Sequence, residues 1–189
     1  SVILRAITMN NRPDEMLAAS PKATVPVLVI DAHTVIDESL DIMLWALRQN
    51  DPQNLLRVDQ ADALPEILGI IEENDKKFKP SLENYKRARR FHHDSEEAYR
   101  LECEPFIQNL ETRLKKHEFF MGATPSLLDY ALLPFVRQFS KANKPLFRAS
   151  AYTQLQRWLN HHIQSRLFAK AMFKYPLWLE CNETIVFGE

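Results

Sequence analysis

The residues of this chain best suited to bind a ligand stand at the start of a predicted helix, where Glu38 is followed by Ser39. A helix N-terminus presents unpaired N–H groups and a partial positive charge, which suit a carboxylate. The hydroxyl of Ser39 adds one donor, and the carboxylate of Glu38 could accept hydrogen bonds from an ammonium group. Together these groups match the zwitterionic end of an amino acid. The same pair could simply cap a helix, and local sequence alone favours that interpretation.

Two cysteines and two pairs of adjacent histidines are the other candidates for chemistry. Cys103 and Cys181 lie far apart, so they form neither a CxxC motif nor a metal-ligand spacing. The histidine pairs occupy positions 92–93 and 161–162. Neighbouring residues on a helix point about 100° apart, so one metal ion would not easily take both members of a pair. We therefore interpret the cysteines as packing residues and predict no metal site.

Charge and composition argue against several classes of function. The formal net charge is -1, so no overall field favours nucleic acid or an anionic membrane. The basic run at 86–93 could suggest a nucleic-acid patch, but acidic residues flank it at 72–75 and 94–97, which favours a solvated helix face. Glycine is scarce and no glycine-rich phosphate loop occurs. No apolar run approaches the roughly 18 residues that span a bilayer. We predict neither nucleic acid nor membrane as a partner.

The elements that must position Glu38 and Ser39 lie in the first fifty residues. Short, β-branched, apolar stretches indicate strands, and apolar residues spaced i, i+3, i+4, i+7 indicate a helix. The predicted order is a strand at 2–7, a helix at 14–19, a strand at 24–30, its hairpin partner at 35–36, and a helix at 37–47.

Two details of this region affect the site. Pro26 lacks an N–H group, so it should lie at the start or the edge of its strand. The bond that joins it to Val25 can be cis or trans, and the residues themselves do not decide between the isomers. Asp37 or Ser39 is predicted to cap the following helix.

Residues 24–28, Thr-Val-Pro-Val-Leu, followed by residues 35–39, Val-Ile-Asp-Glu-Ser, resemble the second half of the thioredoxin-like domain of glutathione transferases. In that family the proline is cis. The resemblance implies that Val25 pairs its backbone with the cysteinyl part of glutathione, beside Pro26.

The same resemblance implies that Glu38 and Ser39 hold the γ-glutamyl group of glutathione. With the Val-Pro-Val-Leu strand just upstream, ligand binding becomes the favoured interpretation of this pair over helix capping alone.

Helical periodicity dominates the chain after a polar turn at 50–54. One predicted helix contains Pro105, which should mark a kink or an offset start. The predicted helices cover 61–75, 80–91, 94–117, 127–142 and 152–164.

The start of the helix at 127–142 carries a capping motif. Ser126 can cap the N–H groups of the first turn, while Asp129, three residues later, reaches back to the N-cap. Gly122 would supply a backbone turn that a side chain would hinder. Asp129 is therefore interpreted as a folding residue and not as a catalytic acid.

The resemblance to glutathione transferases continues through this half, at residues 72–86, 120–131 and 152–168. It implies an α/β part followed by an all-α part. The first would be a partial thioredoxin-like domain over 1–50, and the second a glutathione-transferase-type helical bundle over 60–189.

The resemblance further implies a cytoplasmic, homodimeric enzyme that conjugates or reduces small electrophilic or thiol substrates, with glutathione as co-substrate and a small apolar electrophile as its partner. The family's catalytic Tyr, Ser or Cys follows a first strand that has no counterpart before Val2, so the catalytic residue is expected in an N-terminal segment outside this sequence. Two alternatives stay open. One is a non-catalytic scaffold or protein-binding module, and the other is a glutaredoxin-like thiol reductase, which would need a cysteine in that segment.

Overall fold

Short β-branched stretches and two helices form the first fifty residues of the computed structural model, which describes residues 1–188. The helix predicted at 14–19 is present with those bounds. The predicted hairpin is also present, and its turn is closed by Asp31, whose carboxylate accepts hydrogen bonds from the N–H of His33 and the hydroxyl of Thr34. The elements are β1 (Val2–Leu4), α1 (Asp14–Ala19), β2 (Leu28–Val29), β3 (Val35–Ile36) and α2 (Ser39–Gln49).

The prediction that Asp37 or Ser39 caps α2 is wrong. The N-cap residue is Glu38, and its side chain makes no capping hydrogen bond. Asp37 instead accepts hydrogen bonds from the hydroxyl of Ser20 at 2.8 Å and the ammonium of Lys22 at 3.0 Å. A charged donor offers a carboxylate a stronger hydrogen bond than a neutral N–H group does, so Asp37 turns away from the helix that it precedes.

Apolar residues at helical spacing produce an almost continuous series of helices after residue 62. The two helices predicted at 61–75 and 80–91 are joined by a π-helical turn, and Pro80 lies in the first turn of the second helix. Pro105 lies inside a single helix. The elements are α3 (Ala63–Glu73), the π-helical turn (Asn74–Phe78), α4 (Lys79–Phe91), α5 (Glu96–Lys116), α6 (Leu127–Ala142), α7 (Lys144–Ala149), α8 (Thr153–Ile163) and α9 (Arg166–Ala171).

The C-terminal part of the chain contains α10 (Trp178–Cys181) and β4 (Ile185–Phe187), and β4 pairs antiparallel with β1. The N–H of Trp178 donates to the carbonyl of Ala6 at 2.9 Å, and the guanidinium of Arg5 lies 4.2 Å from the centre of the Trp178 ring. Nothing in the sequence pattern predicted this pairing of the two ends.

Two compact units divide the chain. One contains residues 1–50 and the chain from Lys170 onward, and the other contains Asp51–Ala169. The predicted division into a domain over 1–50 and a domain over 60–189 concerns which parts fold independently, and it stays a prediction. Among residues 1–188, no helix combines the length and the apolar character that crossing a membrane requires.

The most deeply buried side chains belong to the helical unit. Phe78 stacks on Phe106 with ring centroids 4.7 Å apart, and Phe120 packs against Trp158 at 4.6 Å. By contrast, α1 and α2 of the other unit contain no buried residue within the part of the chain described. Since burial of apolar surface is the main favourable term in folding, the helical unit holds most of the stabilising core.

A buried carboxylate ties three segments of this core together. Asp129 is fully buried and accepts four hydrogen bonds. Both the N–H and the hydroxyl of Ser126 donate to it at 2.8 Å, and the bond from the N–H is one half of the capping box of α6. The indole N–H of Trp158 donates at 2.8 Å and the N–H of Phe120 at 3.1 Å. These bonds offset the cost of burying a negative charge.

A second buried polar residue lies beside this network. His162 is 3% exposed, and its ring contacts the rings of Trp158 and Tyr130 edge to face. Among residues 1–188, its Nε2 atom has no hydrogen-bond partner. Burial lowers the pKa of His162, the nearby Asp129 opposes that shift, and His161 adds to it.

We expect Asp129→Ala to lower the free energy of unfolding by about 3 kcal/mol or more, because the substitution leaves buried donors without an acceptor. Urea denaturation followed by circular dichroism measures the change. The matched control is Asp94→Ala, which removes an exposed carboxylate and should cost less than about 0.5 kcal/mol. Equal losses in the two variants would contradict the role assigned to Asp129.

Stability should also depend on the protonation of His162. Its pKa is lowered in the folded state, so the unfolded chain binds an additional proton as pH falls through about 6.5. Stability is therefore complete above that pH and decreases below it, towards the lowered pKa of the folded state. Urea midpoints between pH 7.5 and 5.5 should fall less in His162→Phe than in the parent protein. The exposed-site control His33→Phe should keep the parental pH dependence.

Candidate functional site

A cluster of opposite charges surrounds the base of the β2–β3 hairpin. The ammonium of Lys22 lies 2.8 Å from the carboxylate of Glu38 and 3.0 Å from that of Asp37. The hydroxyl of Ser20, which is 1% exposed, donates to the other oxygen of Asp37 at 2.8 Å. The cluster thus has one cation and two carboxylates and a net charge of one negative unit.

Hydrogen bonding inside the cluster changes the pKa values of its members. The bond to Glu38, followed by the bond to Asp37, raises the pKa of Lys22 to about 12. The bond from Lys22, followed by the bond from Ser20, lowers the pKa of Asp37. Both shifts favour the charged forms, so Lys22 and Asp37 keep their charges at neutral pH.

The N-terminus of α2 lies directly after this cluster. Its first helical hydrogen bond runs from the N–H of Ile42 to the carbonyl of Glu38 at 3.0 Å, so the N–H groups before Ile42 have no helical acceptor. Ser39, the first residue of the helix, is exposed, as is most of Glu38. These N–H groups and the Ser39 hydroxyl form a donor-rich surface next to a net negative cluster.

The hairpin brings Val25 and Pro26 alongside the start of α2. Leu28 pairs with Ile36 and Val29 with Val35, so the chain that enters β2 and the chain that leaves β3 lie at the same end of the hairpin. The Val25–Pro26 peptide bond is cis. Val25 is 51% exposed, and within residues 1–188 neither its N–H nor its carbonyl has a hydrogen-bond partner.

The four residues predicted to bind glutathione flank the same end of the β2–β3 hairpin, and their role as a glutathione site remains a prediction. Ser126 and Asp129 lie at the start of α6. Sequence reasoning missed Ser20 and Lys22, and it assigned Asp37 to helix capping. A signal for Lys22 was available: a lysine precedes the first strand of a hairpin, and acidic residues follow the second. Antiparallel pairing brings those two ends together.

Cys103 and Tyr85 are buried in the core, whereas Cys181 and Tyr130 are half-buried. Cys103 is fully buried, and burial raises the pKa of its thiol to about 12. Cys181 is half-buried, and its sulfur accepts a hydrogen bond from the N–H of Glu183. Burial also raises the pKa values of Tyr85 and Tyr130. Within residues 1–188, no group of three His, Cys, Asp or Glu side chains is arranged to hold a metal ion.

Comparison with protein-family models matches both parts of the chain. The model described as "Glutathione S-transferase, N-terminal domain" matches residues 1–55. The model described as "Glutathione S-transferase, C-terminal domain" matches residues 96–161. No curated protein sequence matches the chain.

Solved structures share the fold at low sequence identity. Glutathione transferase Omega 3C from Trametes versicolor is 15% identical, with a TM-score of 0.73, and the match covers 93% of this chain and 75% of that one. A glutathione transferase family member from Pseudomonas fluorescens Pf-5, solved with two glutathione molecules bound, is 19% identical, with a TM-score of 0.69 and coverage of 84% and 74%. A glutathione S-transferase from Actinobacillus pleuropneumoniae is 18% identical, with a TM-score of 0.67 and coverage of 88% and 76%.

The two domain models occur in the family's order along the chain, and the thioredoxin-like and helical parts correspond in fold to those of solved family members. This chain therefore belongs to the glutathione S-transferase superfamily.

Proposed function

We propose that this protein binds glutathione at the base of the β2–β3 hairpin and uses it to conjugate or reduce small electrophilic or thiol substrates. The observation that carries the proposal is the net negative cluster of Lys22, Asp37 and Glu38, which lies directly before the uncapped N-terminus of α2. The γ-glutamyl end of glutathione carries one ammonium and one carboxylate, and the two parts of this site are complementary to them.

Each end of the ligand has a partner of suitable chemistry. The ligand's ammonium would join Glu38, whose carboxylate already accepts hydrogen bonds from the ammonium of Lys22. The ligand's carboxylate would lie at the N–H groups of the first turn and the hydroxyl of Ser39, where the partial positive charge of the helix favours an anion.

The extended middle of glutathione would pair with the backbone of Val25. An exposed N–H and carbonyl without partners offer the same two hydrogen bonds that a strand edge offers to an added peptide. Pro26 has no N–H, so the residue before it is the natural point for this pairing.

The described thiols and phenols bear on the reaction as well as on binding. Conjugation needs the glutathione sulfur as a thiolate, and a group that stabilises it must itself be accessible and correctly charged. Burial disfavours the charged forms of Cys103, Tyr85 and Tyr130, which favours packing roles for these three side chains. The second candidate function is a glutathione-binding scaffold or protein-binding module without turnover, and a turnover assay separates it from the first. Family resemblance is the basis for the remaining parts of the proposal, namely a small apolar electrophile, a homodimer and a cytoplasmic location.

We expect glutathione to bind with one site per chain, and Ser39→Ala and Glu38→Gln each to raise Kd roughly 5- to 10-fold, since each removes a charge-assisted hydrogen bond. Isothermal titration calorimetry measures the affinity. Neither side chain caps α2, so both variants should keep the parental melting temperature.

The controls separate this site from general charge effects. Glu15→Gln removes an exposed carboxylate from the first turn of α1 and should leave Kd unchanged. The dipeptide Cys-Gly lacks the γ-glutamyl group, and its weaker binding should be the same for the parent and Ser39→Ala. Absence of saturable binding at millimolar glutathione would refute the proposal. Binding without turnover of aryl halides or disulfides would leave the scaffold as the function.

Thiol reactivity tests the role assigned to the cysteines. An aromatic disulfide reagent should modify Cys181 rapidly and Cys103 only after unfolding, because the Cys103 thiol is buried and stays protonated. Cys181→Ser should abolish the rapid absorbance change, whereas Cys103→Ser should leave it intact. A rapid reaction that persists in Cys181→Ser would place a reactive thiolate at Cys103 and overturn this assignment.

A further inference from the structure

A groove rich in basic residues lies within the helical unit, between the end of α6, α7 and α8. It encloses a cavity of about 290 Å³ and is lined by four cations: Arg137, Lys141, Lys144 and Arg148. No Asp or Glu lines it in the part of the chain that the structure describes. We call these residues, together with Phe147 and Leu159 beneath them, the basic groove.

The cations of the basic groove are not neutralised by acidic neighbours. Among residues 1–188, none of the four forms an ion pair. A cavity of about 440 Å³ in the same unit differs in this respect, because the charge of its Arg100 is neutralised by ion pairs with Glu97 and Glu104. The chain as a whole has a formal net charge of -1, so four cations around one cavity concentrate positive charge in one place.

The groove also has an apolar floor and polar donors at its side. Phe147 and Leu159 are 8% and 6% exposed and line the cavity, together with the polar residues Ser140 and Asn160. Arg137 lies with its guanidinium carbon 5.3 Å from the centre of the Phe168 ring, a cation–π contact that restricts its motion. A pocket lined by one sign of charge focuses the field and concentrates ions of the opposite sign.

We propose that the basic groove binds a small organic phosphate that carries a compact apolar group. Several unpaired cations match the doubly charged phosphate monoester better than a singly charged carboxylate, and arginine donates in pairs to phosphate oxygens. The apolar group would cover Phe147 and Leu159. The cavity volume lies at the lower end of ligand pockets, which favours a ligand the size of one or two fused rings. This site is separate from the glutathione site proposed above and does not depend on it.

Another explanation for part of the cluster is helix stability. Lys141 lies in the last turn of α6 and Arg148 in the last turn of α7, where cations interact favourably with the helix dipole. That explanation does not cover Lys144 at the start of α7, where the dipole disfavours a cation. The test therefore removes Lys144, together with Arg148, its neighbour in the groove.

The probe is 1-naphthyl phosphate, titrated into the full chain by calorimetry near neutral pH and low salt. We expect saturable binding to one site with Kd at or below about 1 mM, weakened several-fold on addition of about 0.2 M salt, because exposed charges are screened. Inorganic phosphate and 1-naphthol should each bind at least 10-fold more weakly, since each lacks one of the two parts that the groove recognises.

Lys144→Gln combined with Arg148→Gln should weaken 1-naphthyl phosphate at least 10-fold. The matched control is Arg87→Gln combined with Arg90→Gln, which removes two exposed cations from α4 and should change Kd less than two-fold. Lys144 and Arg148 are exposed, and circular dichroism melting should show both double variants folded like the parent.

Three results would overturn the proposal: no saturation at millimolar 1-naphthyl phosphate, equal losses in the groove and control variants, or equal affinity for 1-naphthol. Because the probe contains no thiol or γ-glutamyl group, its binding can be lost while glutathione binding persists, and the reverse also holds.

Discussion

Two rungs of antiparallel pairing determine where the candidate glutathione site lies. With Leu28 opposite Ile36 and Val29 opposite Val35, the chain just before β2 runs beside the chain just after β3. Register matters because a slip by one residue would move every side chain of a strand to the other face. The Lys22 ion pairs are exposed, and exposed pairs contribute little stability. The hairpin backbone therefore sets the geometry, and the charges give the site its chemical preference.

The two compact units differ in what stabilises them. The helical unit contains fully buried aromatic and aliphatic side chains and a buried carboxylate with four donors. The other unit holds its helices with little burial and leaves apolar side chains such as Val25 and Val29 half exposed. Binding sites are commonly drawn from the less stable parts of a protein, where backbone groups remain available to a ligand. The unpaired backbone of Val25 is of that kind.

Local sequence patterns predicted the helices whose start and end residues carry their own signals. The bounds of α1 and α6 follow from acidic first turns, apolar spacing and the Ser126–Asp129 capping box. What could not be predicted depends on a distant partner. The antiparallel pairing of β1 with β4 joins opposite ends of the sequence, and no local pattern identifies such a partner.

The π-helical turn shows a different limit of local reasoning, because Pro80 is compatible with either a helix start or a continuing series of turns. At the candidate site, helix chemistry made Glu38 and Ser39 candidates for binding, and only the Val-Pro-Val-Leu strand upstream favoured binding over capping. The role of Asp37 could not be predicted, because whether its carboxylate caps α2 or binds Lys22 depends on where the fold places Lys22.

The net charge of the whole chain does not describe how charges are distributed over its surface. A formal net charge of -1 argues against a field that steers nucleic acid, and scarce glycine argues against a backbone cradle for phosphate. Neither observation bears on a cluster of side-chain cations, because charges farther apart than about 8 Å are largely screened at physiological salt. Lys22 lies within hydrogen-bond distance of two carboxylates and contributes to a net negative cluster, whereas Lys144 lines a cavity with three other cations. Two lysines that count equally in the composition thus favour ligand groups of opposite charge, an ammonium in one case and a phosphate in the other.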